Sequence, residues 1–185
     1  MYLPMFNPMY YLFAMPALIL GLYAQYRVRA AYARYQKVAS RAGLLGYQVA
    51  ERLLRHNGLT DVQVRETRGQ LTDHYDPRTH TVRLSDSTAN QPSVVAMAVV
   101  AHELGHAQQH EENSILIQAR NILIPAVQIS PMISYGLILF GLLFNLLDLF
   151  WLGVLFFAVA VGFTILTLPV EFDASKRAKQ LLVSE

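Results

Sequence analysis

Between Ser114 and Glu171 the chain carries only two charged side chains, Arg120 and Asp148. Apolar runs of this length are membrane spans by default, since about 20 mainly apolar residues cross a bilayer. The run divides into two candidate spans, 131–147 and 149–170, with Asn145 and Asp148 marking the turn between them. Ile115 to Ile129 reads as a buried or interfacial helix broken at Pro125. A pair of soluble core helices is the competing reading, and it fits a run of this length poorly. Met1 to Tyr26 is likewise free of charge, and Pro8 to Ala24 is long enough to span. Pro16 is tolerable there, because membrane helices absorb proline better than soluble ones. A cleaved signal peptide fits less well than a retained anchor, since no basic residue precedes the apolar run.

Composition agrees. The chain is 54 % hydrophobic and 15 % charged, against about 25 % charged in soluble domains. A net charge of +2 is too small to argue for a nucleic-acid partner. There is no cysteine, which removes disulfides and thiolate zinc sites. Arg27, Arg29, Arg34, Lys37 and Arg41 follow the first span with no acidic residue among them, so this flank is assigned to the cytoplasm. Two further spans then return the tail, with Lys176, Arg177 and Lys179, to the same side. The organisation predicted is an anchor at 1–26, a cytoplasmic domain at 27–114, membrane helices at 115–170 and a cytoplasmic helix at 171–185.

Within 27–114, Leu45 to Arg55 reads as an amphipathic helix, with Val49, Leu53 and Leu54 on a face shared with Leu45 or Tyr47, stopped by Asn57-Gly58. Val62 and Val64 alternate with polar residues, and Leu71, Val82 and Leu84 do so more loosely. Asp76-Pro77-Arg78-Thr79 has turn chemistry. A small antiparallel sheet over about 61–85, with a hairpin at that turn, follows. Gln91-Pro92-Ser93 then opens a helix that fades near Glu111-Glu112-Asn113.

That helix contains His102-Glu103-Leu104-Gly105-His106. Residues four apart share a helical face, so the two imidazoles can grip one Zn²⁺. Glu103, beside the first, is the natural proton acceptor for a water activated by the metal. A catalytic zinc needs a third protein ligand. His110 lies about 12 Å along the helix from His102, too far for both to reach one ion, and is a rim residue or a solvated one. Glu111 and Glu112 point away along the same helix, and Asp86 and Asp148 are poorly placed. Glu171, directly after the last span, is left as the favoured candidate. Asp173 and Ser175 follow it as possible partners for the imidazole N–H groups.

Several blocks together resemble the bacterial neutral zinc metallopeptidases, a membrane protease family of gluzincin character related to the HtpX and CaaX proteases. These are the N-terminal anchor, Asn57-Gly58-Leu59, Leu71 to Arg78, Val82 to Ser85, Ala101 to His110 and Leu168 to Ala174. The resemblance implies zinc held by His102, His106 and Glu171, Glu103 as general base, and a zincin-like core between transmembrane helices of a mainly α protein. It also implies a multi-pass place in the bacterial inner membrane, with the site facing the cytoplasm. Two departures stand out. The HtpX and CaaX relatives carry Asp four residues after the ligand Glu, where this chain has Ser175, and family members continue into further apolar helix where this chain stops at Glu185. The chain is therefore expected to be a truncated form or a short member.

The activity expected is hydrolysis of peptide bonds in membrane-associated or misfolded proteins near the bilayer. His74 or Tyr75 is the candidate oxyanion donor, and a sheet edge is available to align an extended peptide. The competing class is a non-catalytic, zinc-stabilised membrane scaffold or adaptor, which would have no need of Glu103. A transporter or sensor fits less well, because the spans hold almost no ionisable residues.

Overall fold

The computed structural model describes residues 8–112 and 114–183. The Met1–Asn7 part of the expected anchor lies outside the described residues. Among the described residues, six helices and three strands follow in the order α1 (Pro8–Gln36), α2 (Gly46–His56), β1 (Gln63–Thr67), β2 (His74–Asp76), β3 (Thr81–Ser85), α3 (Asp86–Ala89), α4 (Val94–Glu111), α5 (Ile115–Leu143) and α6 (Leu147–Val183).

Helix α1 continues past Tyr26 through Arg27, Arg29 and Arg34, and exposes Leu18, Ile19, Leu20 and Leu22. Its last turns are tied down: the Tyr32 hydroxyl meets Ser87 Oγ at 2.8 Å, and Gln36 donates to Gln91 at 3.2 Å. Helix α2 is the expected amphipathic one. Val49, Leu53 and Leu54 are buried, Tyr47 stays outside, and Gln48 reaches back to accept from the Leu45 N–H at 3.0 Å. Gly58, at φ +69°, turns the chain where a side chain would be strained.

The sheet corrects the antiparallel expectation. Its order is β1-β3-β2, with β2 antiparallel to β3 but β1 parallel to it. The hairpin at Asp76 is present, and the Asp76 carboxylate accepts from Arg78 N and Thr79 Oγ1. The difference arises upstream. Gly69 at φ +109° and Leu71 at φ +56° turn the chain, so it returns as β2 on the far side of β3. Leu71 is a half-exposed turn residue rather than part of a strand. Val82 and Leu84 on central β3 are fully buried.

Helix α4 starts where Ser93 Oγ accepts from Ala96 N at 3.2 Å. It lies across the core formed with α2 and the sheet, where Leu53, Leu84, Leu104 and Val100 are fully enclosed. Burying such a side chain contributes about 1.5–3 kcal/mol. Ala178 and Leu181 from the end of α6 belong to the same core.

The break expected at Pro125 does not occur: α5 is one helix from Ile115 to Leu143. Helix α6 likewise runs through Pro169, so the last apolar segment and the tail are continuous. Asn145, at φ +53°, makes the turn between α5 and α6. The two helices pack closely at small residues: Ser134 Oγ donates to the Gly153 carbonyl at 2.9 Å, and Ser130 Oγ to the Phe156 carbonyl at 2.8 Å. Among the described residues only α6 is long and apolar enough to cross a membrane, and Ile129–Leu143 is a shorter apolar stretch.

Candidate metal centre

His102, Glu103 and His106 come from α4, and Glu171 comes from α6. The two helices approach at Gly105, where a Cβ would lie 2.7 Å from the Ala174 carbonyl oxygen. Only glycine permits that approach, and it brings Glu171, one turn before Ala174, over the histidine face. One ligand atom from each of His102, His106 and Glu171 then lies within 4.8 Å of the others. Glu171 Oε2 is 3.2 Å from His102 Nε2 and 3.5 Å from His106 Nε2.

The surroundings fix which imidazole nitrogen faces the centre. Gln109 Nε2 donates to the Val170 carbonyl at 2.9 Å and to Asp173 Oδ2 at 2.8 Å. Its Oε1, 3.0 Å from His106 Nδ1, is therefore an acceptor, and His106 carries its proton on Nδ1. That leaves the lone pair of Nε2 directed at Glu171. His102 Nδ1 is 3.4 Å from Ser175 Oγ, again leaving Nε2 toward the centre. Two imidazole Nε2 atoms and a carboxylate, each backed by outer hydrogen bonds, suit a zinc ion.

Glu103 is buried, and its Oε2 accepts from the Tyr75 backbone N–H at 2.9 Å. Burial pushes its carboxyl above the usual carboxylate range, opposed by His106, His102 and the Tyr75 N–H. Hydrogen bonding to the Glu171 carboxylate raises the His102 imidazole above its ordinary value. A cavity of about 170 Å³ opens here, lined among others by His74, His102, Glu103, His106, Arg120 and Glu171.

The remaining sequence candidates fall in different places. His74 lines the cavity, with Nδ1 2.8 Å from the Thr72 carbonyl. Tyr75 holds Glu103 through its backbone, while its hydroxyl turns away to His110 Nδ1 at 2.9 Å. Burial first, then Glu111 and Asp76, pushes that hydroxyl up to about 12. His110 packs against Tyr75 and His80. Asp173 reaches His106 only through Gln109, and also accepts from Arg177 Nε at 2.7 Å. Arg177 binds both oxygens of Glu112 at 2.7 Å, which joins the end of α4 to α6.

Two residues of the centre were not singled out from the sequence. Gln109 offered no signal, being one polar residue in a polar stretch. Arg120 did offer one, as a lone charge in an apolar run. Its Nη2 lies 3.0 Å from Glu171 Oε1.

No solved structure matches the chain. It is 44 % identical over 169 residues, 91 % of its own length and 75 % of the relative's, to "Putative membrane protease YugP" of Bacillus subtilis (strain 168). The family model described as "Putative neutral zinc metallopeptidase" matches residues 10–185. The chain belongs to this zinc metallopeptidase family.

Proposed function

We propose that the protein is an integral membrane zinc metalloendopeptidase of gluzincin type. In this reading it cuts membrane-associated or misfolded proteins at the cytoplasmic surface of the bacterial inner membrane. The observation that carries the reading is the convergence of His102 Nε2, His106 Nε2 and Glu171 Oε2 beside a buried Glu103 held by the Tyr75 N–H. His102, His106 and Glu171 would hold the metal, which supplies Lewis-acid polarisation of a carbonyl and a lowered water pKa. Glu103 takes a proton from the attacking water as the new C–O bond forms at the scissile carbonyl. The C–N bond then breaks, and Glu103 passes the proton to the leaving amine. Burial raises Glu103 toward the range where it can both accept and return that proton. Gln109 and Ser175 orient the two imidazoles.

The membrane part of the reading is supported by the apolar length of α6 and by the similarity to a Bacillus protein named as a membrane protease. Strand β2 has one paired edge, toward β3, and lies beside the cavity, which suits alignment of an extended peptide.

The test is Glu103→Gln in the full chain in detergent, with zinc content measured alongside cleavage of an unfolded protein. Cleavage should fall by at least about 10²-fold, in the range of lost acid–base catalysis, while zinc is retained. Zinc-loaded wild type without peptidase activity would instead favour the scaffold class.

A further inference from the structure

We propose that Arg120 is a catalytic residue of this centre. It grips Glu171 by one oxygen and presents its second guanidinium nitrogen to the scissile carbonyl oxygen as negative charge develops there. The inference rests on the peptidase reading above.

Peptide hydrolysis of this kind needs a donor aimed at the developing oxyanion. The two candidates from the sequence are largely committed elsewhere. The Tyr75 hydroxyl is on His110 and its N–H on Glu103, and His74 Nδ1 is on the Thr72 carbonyl. Arg120 is differently placed. It is the one charged residue between Ile115 and Leu143, and its side chain is only 25 % exposed. A guanidinium enclosed on an apolar helix is costly unless it is paired and used.

Among the described residues its pairing is incomplete. Nη2 meets Glu171 Oε1 at 3.0 Å, leaving Oε2 as the oxygen that faces the two Nε2 atoms. Nη1 lies 3.4 Å from His106 Nδ1. That nitrogen already carries a proton directed at Gln109 Oε1, as the two donor bonds of the Gln109 amide require. Two N–H groups cannot satisfy each other, so the donors of Nη1 are not spent on His106. Arg120 lines the cavity that also holds Glu103. Base and donor thus share one enclosed space. The planar fork of arginine can serve Glu171 and a second oxygen at once, which lysine cannot do.

The experiment compares wild type, Arg120→Ala and Arg120→Lys as zinc-loaded full chains in detergent. Three quantities are read: kcat and KM on fluorescein-labelled unfolded casein, calorimetric binding of a peptidyl phosphinate as an anionic tetrahedral probe, and zinc retention against a chelator. The Ala variant should lose about 10²–10³-fold in kcat, the range for a lost oxyanion donor, with KM within about threefold. Phosphinate affinity should fall with kcat. The Lys variant should keep zinc as wild type does without recovering kcat, and it carries the test if the Ala variant does not fold. Unchanged kcat in the Ala variant, or full recovery with Lys, would overturn the proposal. So would a loss confined to KM for peptides ending in a free carboxylate. If zinc-loaded wild type cleaves nothing, the peptidase reading fails by itself. Phosphinate binding then decides the donor role, supporting it if binding depends on Arg120 and refuting it if binding is equal in all three proteins or absent from wild type.

Discussion

Gly105→Ala tests the packing that assembles the centre. The new Cβ would sit 2.7 Å from the Ala174 carbonyl oxygen and 3.3 Å from the Ala174 Cα. Carbon–oxygen contacts of this kind lie at roughly 3.3 Å or more, so α4 and α6 must separate there by about 0.6 Å. Overpacking of this sort costs about 1–3 kcal/mol, and replacing a helical glycine returns about 1 kcal/mol. The net loss of folding stability is therefore about 0–2 kcal/mol. The local effect is larger. Metal–ligand distances tolerate about ±0.2 Å, and Glu171 lies one turn from the displaced Ala174. Zinc retention should weaken by about tenfold or more, since misplacement near 1 Å costs about 10²-fold in a comparable setting. The assay is chelator competition on the purified chain, with thermal unfolding measured beside it. Gly136→Ala is the control, because a Cβ there meets nothing within 4 Å. If Gly105→Ala binds zinc as wild type does and gains about 1 kcal/mol from helix propensity, the close α4–α6 contact is wrong.

Gln109→Leu removes the acceptor for the His106 Nδ1 proton, and zinc affinity should fall by about 10–100-fold, again read by chelator competition. Arg177→Ala frees Asp173 and Glu112 together. Gln109 and then Arg177 hold the Asp173 carboxyl below its ordinary value, and Arg177 does the same for Glu112. A depressed folded-state pKa contributes stability that is present above the unfolded value near 4 and is lost as pH falls through the folded one. Wild type should therefore melt at progressively lower temperature below about pH 4, and Arg177→Ala should show a shallower slope. Both carboxylates are well exposed, so the pairs are each worth at most about 1 kcal/mol. Parallel slopes in melts from pH 6 to pH 3 would remove Arg177 as their cause.

The spacing of His102 and His106 placed them on one helical face, and the structure puts them there with Glu171 opposite. Elimination among the carboxylates isolated Glu171, because its position at the end of an apolar run is visible in one dimension. The Ala174 contact of Gly105 is not, since it depends on which face α6 turns to α4. Strand alternation at Val62, Val64, Val82 and Leu84 marks strands without marking direction, so the parallel pairing of β1 with β3 had no sequence signal. Leu71 misled because a hydrophobic residue in a left-handed turn looks like part of a strand. Pro125 read as a helix break, yet α5 runs through it, as α6 runs through Pro169. Arg120 was visible as an isolated charge, and its partner Glu171 lies 51 positions away in the chain.

The length of α6 bears on how the membrane and the centre are joined. At 1.5 Å per residue, Glu171 lies about 36 Å along the axis from Leu147, and a hydrocarbon core is about 30 Å thick. With Leu147 at one boundary, Glu171 clears the other by about one turn. The same helix then continues without interruption, placing Ala174 against Gly105 and burying Ala178 and Leu181 in the core beneath α4. Apolar segment, candidate metal ligand and core element are thus successive turns of one helix. A change in the tilt of α6 against α4 must move Glu171 relative to His102 and His106, because no flexible linker lies between the apolar segment and the ligand. A fragment ending before Leu147 would lack Glu171 and also Ala178 and Leu181 from the core. The core around α4 therefore depends on α6 for its packing as well as for the third residue of the candidate metal centre.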